Sequence, residues 1–273
     1  MLELYYLEEA DSICSNRALM TLTEKGITDW VPRHLSLLDR DQFRPEYLKL
    51  NSKAQVPTLV HDGNVIRESS IICDYLDNLQ TDPPLKPANP VDRAHMQEWI
   101  KDSDESGYQA TASLNFVTKF RLEIPRDQME KRWKKVTDID RLHRQQSCVF
   151  EGLDSPYVLR AVGAWERIFA KMENALSDGR PWIMGEQFTL IETNSAPFIK
   201  VLDMLRILYL WLDGRPNVQR WWNRIKIRES YKNLEEYPGQ SEDDDAPHAR
   251  AGAAVTVKIG DLLEYYRTTI PHL

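Results

Sequence analysis

The stretch "QVPTLVHDGNVIRESS", residues 55–70, limits the fold more than any other part of the chain. Two β-rich runs, 57–60 and 64–67, flank Asp62-Gly63, a dipeptide suited to the two left-handed positions of a tight hairpin. Pro57 opens the first run, where a proline costs a ladder hydrogen bond unless the backbone needs it. Glu68-Ser69 closes the second, and 69–78 reads as a helix opened by a serine at its N-cap. The hairpin is therefore antiparallel and runs directly into a helix.

Upstream, "LELYYL" at 2–7 reads as a strand, and the pattern from Arg17 to Lys25 is helical, with Gly26 at the left-handed C-terminal position. A weaker strand falls at 30–37 and a short helix at 41–49. The order is β-α-β-α-β-β-α, a mixed α/β domain over residues 1–80.

Residues 81–90 carry most of a proline-rich linker without a periodic apolar face. Beyond it the chain turns all-α, and 91–235 reads as a second, helical domain. Long helices are expected at 91–119 and 157–177, and an apolar one at 190–207 behind the capping box Thr189-x-x-Glu192. A further helix enters through Pro216. Residues 122–156 are strongly charged, with a short helix at 126–136. From 236 to 273 a low-complexity segment with the acidic run "SEDDD" reads as a mobile surface tail.

A net charge of −7 argues against a non-specific nucleic-acid binder. No apolar run approaches the roughly 20 residues that cross a bilayer, so no membrane contact is expected. The amino terminus shows no secretory pattern. Cys14, Cys73 and Cys148 are too few and scattered for a disulfide framework, which points to reduced thiols in a cytoplasmic setting. Cys73 falls on an apolar helix face and reads as core, whereas Cys148 reads as incidental. No metal is expected, because no histidine stands at ligand spacing from cysteine or acid.

The chemistry concentrates at two places. A cis bond at Val56-Pro57 would turn the Val56 amide and carbonyl outward to hold an extended peptide as an added strand. Glu68-Ser69, at a helix amino end, offers amides and a hydroxyl to a carboxylate and a carboxylate to an ammonium group. A small peptide bearing both a free amine and a carboxylate fits. "DSICSNRALM" at 11–20 adds two hydroxyls and a thiol at the start of the first helix, where a thiolate is favoured.

"LNSKAQVPTLVHDGNVIRESSIICDYL" resembles the glutathione-site segment of the glutathione transferase superfamily. "GRPWIMGEQFTLIETNSAPF" resembles that family's capping-box segment, with Glu192 in place of the usual aspartate. The resemblance implies a thioredoxin-like amino-terminal domain, an all-helical carboxy-terminal domain and a homodimer. It implies glutathione as co-substrate and a small, aromatic electrophile as partner. Carried over, Val56 and Pro57 would present the backbone to the cysteinyl residue of glutathione, and Glu68 and Ser69 would hold its γ-glutamyl end. Gln42 matches a zeta-class contact, and Gln55 and Lys53 are weaker candidates.

Ser12 matches the catalytic serine of the zeta and theta classes, Cys14 the beta-class cysteine, and Ser15 the serine of glutathione-dependent lignin β-etherases. "SICS" resembles the motif of tetrachlorohydroquinone reductive dehalogenases, in which the cysteine attacks a glutathionyl intermediate. Tyr108, on the long helix after the linker, is the one candidate for the electrophile pocket. Two readings stay beside the dehalogenase: a β-etherase using Ser15, and a non-catalytic binding module on the same fold. The Asn16-Arg17-Ala18 run departs from the family's usual basic-Val-Arg pattern. Without the downstream segment, Ser12 and Ser15 would read as plain N-caps.

Overall fold

Alternation in "LELYYL" buries Leu2, Leu4 and Tyr6 on one side of the first strand. The computed structural model describes residues 1–7, 12–36, 40–80, 82–236 and 245–270. Its amino-terminal elements are β1 (Leu2–Leu7), α1 (Ile13–Glu24), β2 (Val31–Leu35), α2 (Pro45–Leu50), β3 (Thr58–His61), β4 (Asn64–Arg67) and α3 (Ser69–Leu79). The helices that follow are α4 (Pro90–Asp102), α5 (Tyr108–Asn115), α6 (Arg121–Glu123), α7 (Arg126–Trp133), α8 (Ile139–Phe150) and α9 (Pro156–Ala175). The last are α10 (Leu190–Met204), α11 (Tyr209–Leu212), α12 (Pro216–Lys226), α13 (Glu229–Glu236), α14 (Asp245–Ala253) and α15 (Thr256–Thr269).

The chain forms two compact units, the first made of Met1–Lys101, Asp178–Pro197 and Arg220–Asp244. Its sheet runs β2-β1-β3-β4, with β1 and β2 parallel and the other pairs antiparallel. Leu4 pairs with Leu59, so the central strands share a fully buried face. Pro32 sits in β2, an edge strand, where its missing N–H costs least. Asp62 and Gly63 both take positive φ, 49° and 81°, which matches the hairpin geometry read from the sequence. α1 packs against α3 and α13, and ends as expected: Gly26 has φ 61°, and the Ile27 amide donates to the Leu22 carbonyl at 3.0 Å. This is the thioredoxin-like arrangement, and the rest of the chain is helical.

The second unit comprises Asp102–Ser177, Phe198–Gln219 and Asp245–Leu273. Its spine is α9, where Trp165 and Phe169 stack at 5.1 Å between ring centres and Phe169 meets Trp211 at 6.4 Å. The helix expected at 91–119 is present, with its α geometry widened twice by π-helical turns at Ser103–Gly107 and Phe116–Phe120 on either side of α5.

Two expectations are corrected here. Cys148 is fully buried in α8, 3.9 Å from the Ser155 hydroxyl, and burial pushes its thiol pKa up. The tail expected from 236 is, over 245–253 and 256–269, a pair of helices. The acidic residues 241–244 lie outside the described residues. The low-complexity look of "HARAGAA" misled because its small residues serve contact. A Cβ on Gly252 would lie 1.6 Å from the Leu205 carbonyl oxygen, and one on Gly163 of α9 would lie 2.2 Å from the Tyr266 ring. α15 is also pinned by Arg167 donating to the Tyr266 hydroxyl at 2.8 Å and by Arg267 to Glu166 at 3.0 Å. Burial works to raise the Glu166 pKa, but its bonds to Arg215 and Arg267 prevail and lower it.

Gly252→Ala is expected to cost about 1–3 kcal/mol, because the clash is with backbone and no side chain can yield. Thermal melts should show a Tm lower by roughly 5 °C. Gly260→Ala, whose new Cβ meets only the Leu210 methyl at 3.9 Å, should instead hold or raise Tm through helix propensity. Equal Tm values for the two variants would refute the tight seat of α14.

Candidate functional site

The amino ends of α1 and α3 face the same corner of the first unit, and a buried arginine joins them. Arg17, in the first turns of α1, is 2% exposed and donates from Nη1 to the Ser69 hydroxyl at 2.9 Å. Its Nη2 donates to the Asn194 carboxamide. Ser69 thus accepts from a cation while keeping its own proton for an incoming acceptor. The composition of "NRA" marked Arg17 only as a departure from a pattern, so its role in tying Ser69 to α1 escaped sequence reasoning. No local signal could have revealed it, because its partners lie 52 and 177 positions away.

Ser12 is the N-cap of α1. Its Oγ accepts from the Ser15 amide at 3.3 Å and shares a hydrogen bond with the Ser15 Oγ at 2.7 Å. Ser15 is 1% exposed and Ser12 9%, whereas Cys14 is half-buried and forms no disulfide. Of the three, Cys14 has the most open side chain.

The Val56-Pro57 bond is cis, and Val56 is half-buried just ahead of β3. The loop before it is braced by two residues the sequence reading did not single out. The Asn51 amide nitrogen donates to the Gln55 carbonyl at 2.9 Å and to the Thr58 hydroxyl at 3.2 Å. Tyr47 also donates to the Gln55 carbonyl and lies 2.8 Å from the Thr58 hydroxyl. Burial pushes the Tyr47 pKa up to about 12, so it stays a donor at every physiological pH. Gln55 therefore contributes its backbone to the loop, and its side chain is half-buried.

Glu68 holds φ at 68°, a strained value for a residue with a side chain, at the cap of α3. Its carboxylate meets Lys53 Nζ at 2.6 Å, with both side chains about half exposed or more. Such a pair is worth under about 1 kcal/mol and yields readily to a competing ammonium. Gln42 is 5% exposed in a 3₁₀ turn, and its Oε1 is buried with no partner among the described residues. Tyr108, half-buried at the start of α5, belongs to the second unit. Among the described residues no group of histidine, cysteine and acid could hold a metal. No described helix is long and apolar enough to cross a membrane.

Ser12, Cys14, Ser15, Val56, Pro57, Glu68 and Ser69 thus fall in one unit around a bend, two helix amino ends and a buried cation. The arrangement suits a ligand with a carboxylate, an ammonium group and a thiol.

Comparison with known proteins gives the family. The profile of the glutathione S-transferase N-terminal domain matches residues 11–79, and that of the C-terminal domain matches 143–229. Tetrachloro-p-hydroquinone reductive dehalogenase of Sphingobium chlorophenolicum is 25% identical over 240 residues, 83% of this chain and 93% of that protein. Protein LigF of Sphingobium sp. strain SYK-6 is 38% identical over 93 residues, 33% of this chain and 36% of its own length. The crystal structure of the β-etherase LigF superposes with a TM-score of 0.73 at 22% identity, covering 86% of this chain and 98% of that one.

Proposed function

We propose that this chain, which belongs to the glutathione S-transferase superfamily, binds glutathione as co-substrate and turns its thiolate on a small aromatic electrophile. The observation that carries the reading is the Arg17–Ser69 bond, which ties the thiolate-favouring end of α1 to the carboxylate-favouring end of α3. Glu68 takes the γ-glutamyl ammonium, Ser69 its carboxylate, and the Val56 backbone the cysteinyl residue. Gln42 and Gln55 complete the cradle. Tyr108 is assigned to the electrophile pocket.

The sharper form is reductive dehalogenation, supported by the 25% identical dehalogenase relative. Glutathione supplies the first nucleophile and, as a second equivalent, the reductant. Ser12 stabilises the thiolate that displaces halide from the ring, forming a carbon–sulfur bond. Cys14 then attacks that sulfur as a thiolate. A sulfur–sulfur bond forms, the carbon–sulfur pair passes to the ring carbon, and the carbon takes a proton. Cys14 is set free when a second glutathione thiolate replaces it in the disulfide, giving oxidised glutathione. The balance is one aryl halide and two thiols in, one arene, one halide with its proton and one disulfide out.

Aryl ether cleavage is the second reading, favoured by the 38% identical segment of LigF. Ser15 is more deeply buried than Ser12, which makes Ser12 the first choice at the reacting sulfur. A homodimer in the cytoplasm, where glutathione keeps thiols reduced, completes the proposal.

Titration calorimetry tests the site directly. Glu68→Gln should weaken glutathione binding by roughly 10- to 150-fold, the worth of one hydrogen bond to a charged group. Its Tm should not move, because the side chain is about half exposed. Unchanged affinity, or a wild-type chain that does not bind glutathione, would end the proposal.

A further inference from the structure

The helices α7 and α8 carry a charge pattern that the thiolate chemistry does not use. Residues 126–150 hold seven lysines and arginines against four acids, in a chain of net charge −7. Three of the arginines turn inward. Arg144 and Gln145 are 8% and 3% exposed, and Arg141 stands one turn earlier on the same face of α8, half-buried. Arg132 reaches in from α7 with its guanidinium 5.6 Å over the Phe120 ring. Burial, and then the charge of Arg141 beside it, push its pKa down to about 10, with Tyr108 partly opposing.

Among the described residues none of the three arginine side chains has a carboxylate partner. The Nε–H groups of Arg141 and Arg144 and the indole N–H of Trp133 are buried without an acceptor. The carboxamide oxygens of Gln145 and Asn115 are buried without a donor. Five of the twelve such atoms found in the described residues thus sit on three helices of one unit. α8 packs on α5 and on the π-helical turn Phe116–Phe120, Trp133 meets Phe150 of α8 edge-on at 5.3 Å, and Arg132 feels the charge of Arg141, so the two arginine-bearing helices share one neighbourhood. Native proteins seldom leave buried polar groups unsatisfied, and π-helical turns are frequent at functional sites.

Water would satisfy the donors but leave three like charges together. An anion does both. A carboxylate is planar and can take two parallel N–H bonds from a guanidinium, and the Phe120 and Trp133 rings supply an apolar wall beside the charge. We propose that Arg132, Arg141 and Arg144 form a binding site for an aromatic carboxylate within the helical unit. Arg132 and Arg141 lie between the two matched family ranges, and Arg144 lies inside the second. The site does not depend on the glutathione reading.

The test uses the full chain, sodium benzoate, its neutral analogue benzamide, and sodium sulfate, followed by calorimetry and thermal melting. Benzoate should bind saturably and raise Tm, and benzamide and sulfate should bind at least tenfold more weakly. Arg141→Met and Arg144→Met should each weaken benzoate at least tenfold. In the absence of ligand each should hold or raise Tm, because a buried charge without a partner is removed. If Arg144→Met fails to fold, Arg144→Lys decides: it keeps the charge, loses the planar fork, and should still weaken benzoate tenfold. The site is refuted if benzamide or sulfate matches benzoate, if benzoate shows no saturation, or if the arginine variants bind normally. A lower Tm in both methionine variants without ligand would assign the arginines a structural role and overturn it equally.

Discussion

Replacing Cys14 with serine is expected to stop the reaction half-way, leaving an aryl-glutathione thioether in place of the dehalogenated ring. The first step needs only the thiolate held at the head of α1, and serine at 14 leaves the Ser12 cap and the Ser15 bond untouched. The second step needs a sulfur nucleophile, which a hydroxyl cannot replace at neutral pH. With a chlorinated hydroquinone as substrate, mass spectrometry should show the thioether accumulating and the reduced product falling by about 10²-fold or more. Cys14 is suited to this because it is more open than either neighbouring serine. Wild-type product at the wild-type rate would remove the cysteine from the mechanism. It would leave simple transfer or ether cleavage as the chemistry.

Lys25→Met is expected to be the most destabilising single change in the first unit. The Lys25 side chain is 0% exposed; its Nζ meets Asp77 Oδ1 at 2.7 Å and also donates to the Pro83 carbonyl. The same Asp77 oxygen accepts from the Leu85 amide at 2.9 Å, so one buried ion pair fixes the end of α1 to α3 and to the proline-rich segment. Methionine fits the volume but strands the carboxylate, with Lys86 at 3.4 Å as its remaining cation. Losing one partner of a buried pair costs about 3–5 kcal/mol, a Tm lower by on the order of 10 °C here. The paired variant Lys25→Met with Asp77→Leu should recover much of that loss, since both charges then leave together. A fall in Tm of under roughly 2 °C for Lys25→Met would show that the pair carries little of the unit's stability.

The first eighty residues were legible because their signals are local. Aromatic and aliphatic residues in "LELYYL" gave β1, Asp62-Gly63 gave the hairpin, and Gly26 ended α1 within a residue of its observed stop. Thr189 and Glu192 form their cap much as read, with the Thr189 amide donating to the carboxylate at 2.9 Å. Glu192 also accepts from the Ile183 amide at 3.0 Å, and its complete burial raises its pKa. What stayed hidden depends on distant partners. Arg17, Asn51 and Tyr47 shape the site through side-chain bonds that no periodicity announces. α8 was lost in a charged stretch because its inward face is polar, with Arg144 and Gln145 buried where apolar residues would normally mark a helix. α14 was lost because glycine and alanine, chosen for close approach, look the same in sequence as a loose linker.

The bond between the two hydroxyls at the head of α1 has a consequence for how variants there must be read. Two oxygens 2.7 Å apart need only one hydrogen between them, so one rotor always has its proton to spare. Whichever serine is truncated, the survivor can swing that proton toward a neighbouring sulfur. A single alanine at 12 or 15 can therefore pass as harmless even when the pair is indispensable, and only their joint removal reports on it.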